Sequence, residues 1–227
     1  MNNQKNSFSM ESNVFNRTET TGKLISENVY NLTIGLVLAW GFLLNWLLVT
    51  SISPSSLLSF GFWPLIIGYF VSCFIGIRIY TKSDDPFISF IGYNFVVIPF
   101  GLILNIIVSS YDPVIVQDAI RVTGIVTCIM MILGSAFPAF FQKISGALTV
   151  ALIAVIIVEM VEIFIFKTHH GVLDWIVALI FCGYIGYDWG RANSIPKTLD
   201  NAVDSAASLY MDIINLFIRI LRIMGRR

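Results

Sequence analysis

A chain of 227 residues ordinarily makes one domain or two small ones, but only 12% of this one is charged, about half the ~25% usual in soluble proteins, while 56% is hydrophobic. Mean hydropathy is +0.81, and the 50 residues between Glu27 and Arg78 contain no Asp, Glu, Lys or Arg. No soluble domain of this size can bury so much apolar surface, so the sequence specifies an integral membrane protein. The 14 basic and 14 acidic side chains cancel, which argues against nucleic acid as a partner. Cys73, Cys128 and Cys182 fall inside apolar stretches without CxxC spacing. They are expected to be small core residues rather than a disulfide framework or metal site.

Residues 1 to about 28 form a polar tail rich in Asn, Ser and Thr, carrying Lys5, Glu11, Arg17, Glu19, Lys23 and Glu27. No apolar run precedes residue 32, so no cleavable signal peptide is expected, and the tail is expected to be mobile and cytoplasmic. The membrane domain occupies 29–227. Its apolar segments run about 31–50, 57–80, 86–110, 118–142, 144–166, 171–191 and 204–224, each near the ~20 residues that cross hydrocarbon. The last two cross only if their charges face protein. Ser72 with Gly76, and Gly186 with Gly190, have the small-xxx-small spacing of close helix packing. The predicted fold is all-α, a polytopic bundle of seven transmembrane helices. With the tail inside, the cytoplasmic side collects Lys5, Arg17, Lys23, Arg78, Lys82, Lys143, Arg191 and Lys197, against Arg121 and Lys167 opposite. The C-terminal arginines then lie outside, unless the last segment re-enters.

That last segment carries Asp204, Ser208, Asp212, Asn215, Arg219 and Arg222. At about 100° per residue they fall within an arc of about 80°. A stripe this narrow belongs toward a bundle interior or a watery path; an amphipathic helix on the membrane surface is the alternative, and it normally has a wider polar face. Asp188 lies in otherwise apolar sequence, and Asp188 and Asp212 are each 12 residues from Asp200. A turn centred on 196–204 would bring them to similar depth on antiparallel helices. Two carboxylates in one low-dielectric site share a proton, and ionised they suit a hard cation such as Ca²⁺. Equally, Asp188 caps a helix end and Asp212 pairs with Arg219 for structure. Glu159 and Glu162 share a helix face and suit an arginine contact as well as ion coordination. Asn45, Asn94 and Asn105 suit interhelical hydrogen bonds. His169 and His170 are expected to be solvated loop residues.

The stretch GYIGYDWGRAN followed by AASLYMDIINLFIRILRIMG resembles the C-terminal signature of the Bax inhibitor-1 family, the transmembrane BAX inhibitor motif proteins. Tyr187, Asp188, Leu209, Tyr210, Asp212, Asn215, Leu216, Phe217 and Arg222 fit its pattern position by position. Weaker similarity covers about 29–225. The resemblance implies seven helices with the last one central, and a pH-sensitive Ca²⁺ leak with Asp188 and Asp212 as sensing pair and Ca²⁺ contact. It implies Arg78 as a latch near the end of the second helix. Arg222, Arg219, Asn215, Glu159 and Glu162 are supporting residues. Family members can pair the arginine matching Arg222 with a carboxylate of the second helix, but residues 57–77 hold none, which points to Glu159 or Glu162 instead.

The expected protein is therefore not an enzyme and needs no cofactor, Ca²⁺ being the transported ion. Its partners are the lipid bilayer, calcium ions and, on one reading, another membrane protein. Two other functions fit part of the pattern. One is a non-transporting regulator that binds a membrane protein. The other is an intramembrane aspartyl protease, whose Gly-x-Gly-Asp is here LYMD at 209–212. HExxH, Gly-x-Ser-x-Gly and P-loop motifs are absent. Compact loops favour a bacterial inner membrane.

Overall fold

The computed structural model describes residues 22–167 and 171–226; most of the polar tail, with His169 and His170, lies outside them. Seven long helices and one short one follow in order: α1 (Glu27–Ser51), α2 (Pro54–Leu58), α3 (Phe62–Lys82), α4 (Pro86–Val108), α5 (Pro113–Ala136), α6 (Pro138–Val161), α7 (Gly171–Ala192) and α8 (Leu199–Met224). A π-helical turn, Glu162–Phe166, extends α6. The starts of the helices are written locally. Asp85 and Asp112 cap α4 and α5 by accepting from the first-turn N–H groups of Phe87, Ile88 and Val114, and each precedes a proline that needs no partner for its nitrogen. The fourth segment ends earlier than the apolar run predicts. α5 stops at Ala136, Phe137 breaks the chain, and Pro138 opens α6, because proline cannot supply the N–H that a continued helix would require.

α8 stands at the centre, packed against α1, α4, α5 and α7, with α3 outside α4 and α6 outside α7. Eighteen of its 26 residues are buried, so the surface-helix alternative is excluded. Six helices, α1 and α3 to α7, are apolar and long enough to cross a membrane. Their outer faces present Leu36, Trp46, Phe70, Phe74, Ile132, Phe140 and Val150, a surface that only lipid tails solvate well. α8 is the seventh crossing. At 26 residues it is roughly 39 Å long, and it can carry charge because protein, not lipid, surrounds it. This is a multi-pass membrane protein.

Small residues set the closest approaches. Gly76 and Gly92 bring α3 and α4 together, and a Cβ on Gly134 would lie 2.3 Å from the Gly186 carbonyl oxygen where α5 crosses α7. Polar side chains in the apolar layer pair between helices. Asn45 donates to the Tyr210 hydroxyl (2.7 Å), Trp40 to Asn94 (2.9 Å), and Asn105 to the Leu48 (2.9 Å) and Ile52 (2.8 Å) carbonyls. Tyr210 also meets the Tyr93 ring edge-on at 5.5 Å, locking α8 to α1 and α4.

Candidate functional site

α8 distributes its polar groups over three levels. In its first turns, Asp200 accepts from the Ser89 hydroxyl at 2.6 Å, and Ser205 lies 3.1 Å from the Tyr30 hydroxyl. Here the chain ahead of α1 also runs along the α7–α8 connection. Leu24 bridges Thr198 in antiparallel fashion, the Ile25 N–H donates to the Lys197 carbonyl at 2.9 Å, and Lys197 pairs with Glu27 at 2.9 Å. The tail end and the α7–α8 connection therefore share one end of the bundle.

The middle level holds the aspartates. Asp188 and Asp212 are buried, and their carboxyl groups face each other in one cleft. Carboxylates only accept, so a hydrogen bond between the two would need a proton on one of them. Asp212 Oδ2 has no hydrogen-bond partner among the described residues. The two carboxyls line a cleft of about 400 Å³ with Tyr80 of α3, Ser145 and Thr149 of α6, Tyr184, Tyr187 and Arg191 of α7, and Ser208 of α8. The helices meet differently from the symmetric hairpin that the spacing suggests. α7 ends at Ala192 and α8 begins at Leu199, so Asp188 is roughly 6 Å from its helix end and Asp212 roughly 20 Å from its own. The connection 193–198 makes up the difference, and α8 projects past α7 to reach Tyr30 and Ser89.

The third level is a buried ion cluster. Asp174, wholly buried in the first turn of α7, has Oδ1 2.9 Å from Arg219 Nη1 and 3.8 Å from Arg222 Nη1, and Oδ2 2.7 Å from Arg226 Nη2. Arg219 also donates from Nη2 to Glu159 Oε2 at 3.0 Å, and from Nη1 to Oε1. Arg226 packs over Gly171. This end of α8 thus lies beside the start of α7, opposite the tail.

A model of the family described as inhibitor of apoptosis-promoting Bax1 matches residues 23–227. The chain belongs to the Bax inhibitor 1 family. Similar proteins include an uncharacterized membrane protein of Streptococcus pyogenes serotype M3, 30% identical over 136 residues, 56% of this chain and 58% of that protein. A membrane protein of Vibrio cholerae is 26% identical over 193 residues, covering 81% of this chain and 86% of its own. Bax inhibitor 1 of Schizosaccharomyces pombe is 27% identical over 168 residues, 72% and 62% of the two chains. The chain thus spans little more than half the length of the streptococcal relatives that it matches.

In this Bax inhibitor family member the structure brings Asp188 and Asp212 together, and it brings Arg219, Arg222 and Glu159 to the cluster. Glu162 opens the π-helical turn just beyond Glu159. Asn215 turns back on its own helix, donating to the Met211 carbonyl at 2.7 Å. Arg78 is not brought to the aspartates. It is exposed, its guanidinium 5.8 Å from the centre of the Phe74 ring, because side chains two apart on a helix point about 200° apart and Tyr80 takes the inward face. Asp174 and Arg191 are the residues that sequence reasoning did not assign. The arginines at 219, 222 and 226 each needed a buried partner, and that demand was the available signal for Asp174.

Proposed function

We propose that this protein is a cation leak pathway, of the pH-sensitive Ca²⁺ kind, in which the buried Asp188–Asp212 pair controls passage. The observation that carries this reading is two buried carboxyls facing each other in one cleft, with one oxygen of Asp212 without a hydrogen-bond partner among the described residues; such a pair shares one proton. Losing that proton changes the pair's charge by one and removes the hydrogen bond it makes, so one event alters both cation affinity and the α7–α8 contact. Among the described residues no three His, Cys, Asp or Glu side chains converge. Two carboxylates supply at most four of the 6–8 oxygens that Ca²⁺ takes, leaving the rest to hydroxyls and water, a donor set suited to an ion that passes rather than stays. Family membership supports the leak over the protease alternative. A bacterial inner membrane suits the charge distribution.

The test is Ca²⁺ uptake into vesicles reconstituted with purified protein. Asp188→Asn and Asp212→Asn should each abolish the pH dependence of uptake, and the double variant should behave like either single one, because coupled sites are not additive. If the effects add, or pH dependence survives both changes, the pair is structural and the reading is wrong.

A further inference from the structure

Among the described residues that line the cleft, Arg191 carries the positive charge. Arg191 lies three residues beyond Asp188, one turn along α7, and lines the same cleft as both aspartates. Its guanidinium is held in place: Nη1 donates to the Tyr187 hydroxyl, and the group stands 5.4 Å from the centre of the Tyr187 ring. A planar cation that both stacks and hydrogen-bonds is pre-organised in a way an ammonium is not. Its half-buried position weakens the screening that disarms surface charges. The other described lining residues, Tyr80, Ser145 and Ser208 among them, are uncharged, so Asp188, Asp212 and Arg191 are the charged side chains of the described wall.

We propose that Arg191, braced by Tyr187, is the residue that sets the charge selectivity of the cleft. It holds back divalent cations more strongly than monovalent ones. The inference rests on the proposed cation leak. Its physical basis is linear: a fixed charge acts on a divalent ion with twice the energy it exerts on a monovalent ion at the same point. Its removal therefore changes divalent entry by the square of the factor for monovalent entry. A change that merely loosened the helices would raise both by similar factors.

Vesicles containing the full chain, wild type or variant, are loaded with a Ca²⁺ or Na⁺ indicator, and the initial uptake of each ion is measured at fixed ionic strength. Arg191→Gln should raise Ca²⁺ uptake about tenfold and Na⁺ uptake about threefold. Arg191→Lys, which keeps the charge but not the stacked fork, should fall between wild type and Arg191→Gln for Ca²⁺. Lys82→Gln removes an exposed charge at the end of α3, outside the cleft wall, and should leave the Ca²⁺ to Na⁺ ratio unchanged. Equal changes for the two ions, or no change, with Arg191→Gln would overturn the role of Arg191 while leaving the leak standing. Wild-type vesicles that take up neither ion would overturn the leak and this role together.

Discussion

Asp174 shows how one residue fixes the end of a helix. It is wholly buried, and the guanidiniums of Arg219 and Arg222 reach it from α8 and that of Arg226 from just beyond the helix end. An acidic residue in the first turn of a helix is ordinarily a modest favourable contact with the helix dipole. Here its removal would take away a carboxylate that three arginines approach in a low-dielectric site, while Glu159 is paired with Arg219. Breaking a buried pair by deleting one partner costs about 3–5 kcal/mol. Asp174→Asn should lower the thermal midpoint of the purified protein in detergent by roughly 10 °C. A midpoint within a degree or two of wild type would mean that the arginines re-pair with Glu159 and water, and that Asp174 is dispensable.

At the scale of elements, the aspartate pair depends on how α7 is held. α7 lies between α5 and α6 and against α8, and its crossing with α5 is set by backbone approaching backbone at Gly134, Gly186 and Gly190. A methyl group at 134 would stand 2.3 Å from the Gly186 carbonyl oxygen, whereas one at Gly124 of the same helix would meet nothing within 4 Å. Gly134→Ala should therefore destabilise the fold by about 1–3 kcal/mol through forced separation of the helices. Gly124→Ala should stabilise it by up to about 1 kcal/mol, since alanine is the better helix former. Thermal midpoints of the two variants decide it, and equal shifts would show that the α5–α7 crossing is compliant.

At the scale of the whole molecule, the described residues nearest the two termini, 22–27 and 225–226, lie at opposite ends of the bundle. Residues 22–27 contact the α7–α8 connection, while Arg226 packs against the start of α7 and Gly225 against Tyr111 in the α4–α5 loop. An odd number of crossings follows, and with it an answer to the re-entrant alternative for the last segment. Membrane-impermeant thiol labelling of Lys5→Cys and Arg227→Cys, in a background lacking the three native cysteines, should mark position 5 only from the cytoplasmic side and position 227 only from the other. Both labelled from one side would contradict the seven-crossing arrangement.

Membrane residence, the number of long helices and the interior setting of α8 were legible in the sequence, because hydrocarbon tolerates so few polar groups that apolar length and charge placement become nearly sufficient signals. The Asp188–Asp212 pair was legible as well, through spacing and a family motif, although the symmetric hairpin behind the spacing argument does not exist. What the tertiary structure alone decided is which charge faces which. Arg78 and Tyr80 are two residues apart, yet one faces outward over Phe74 and the other the aspartates. Arg219 chose both Glu159 and Asp174, 60 and 45 residues away, and Arg191 took its place in the cleft wall. Hydropathy depends on each residue's own transfer from water and can be summed along a chain. Ion pairing in a low-dielectric interior depends on distances between helices, and only their packing sets those.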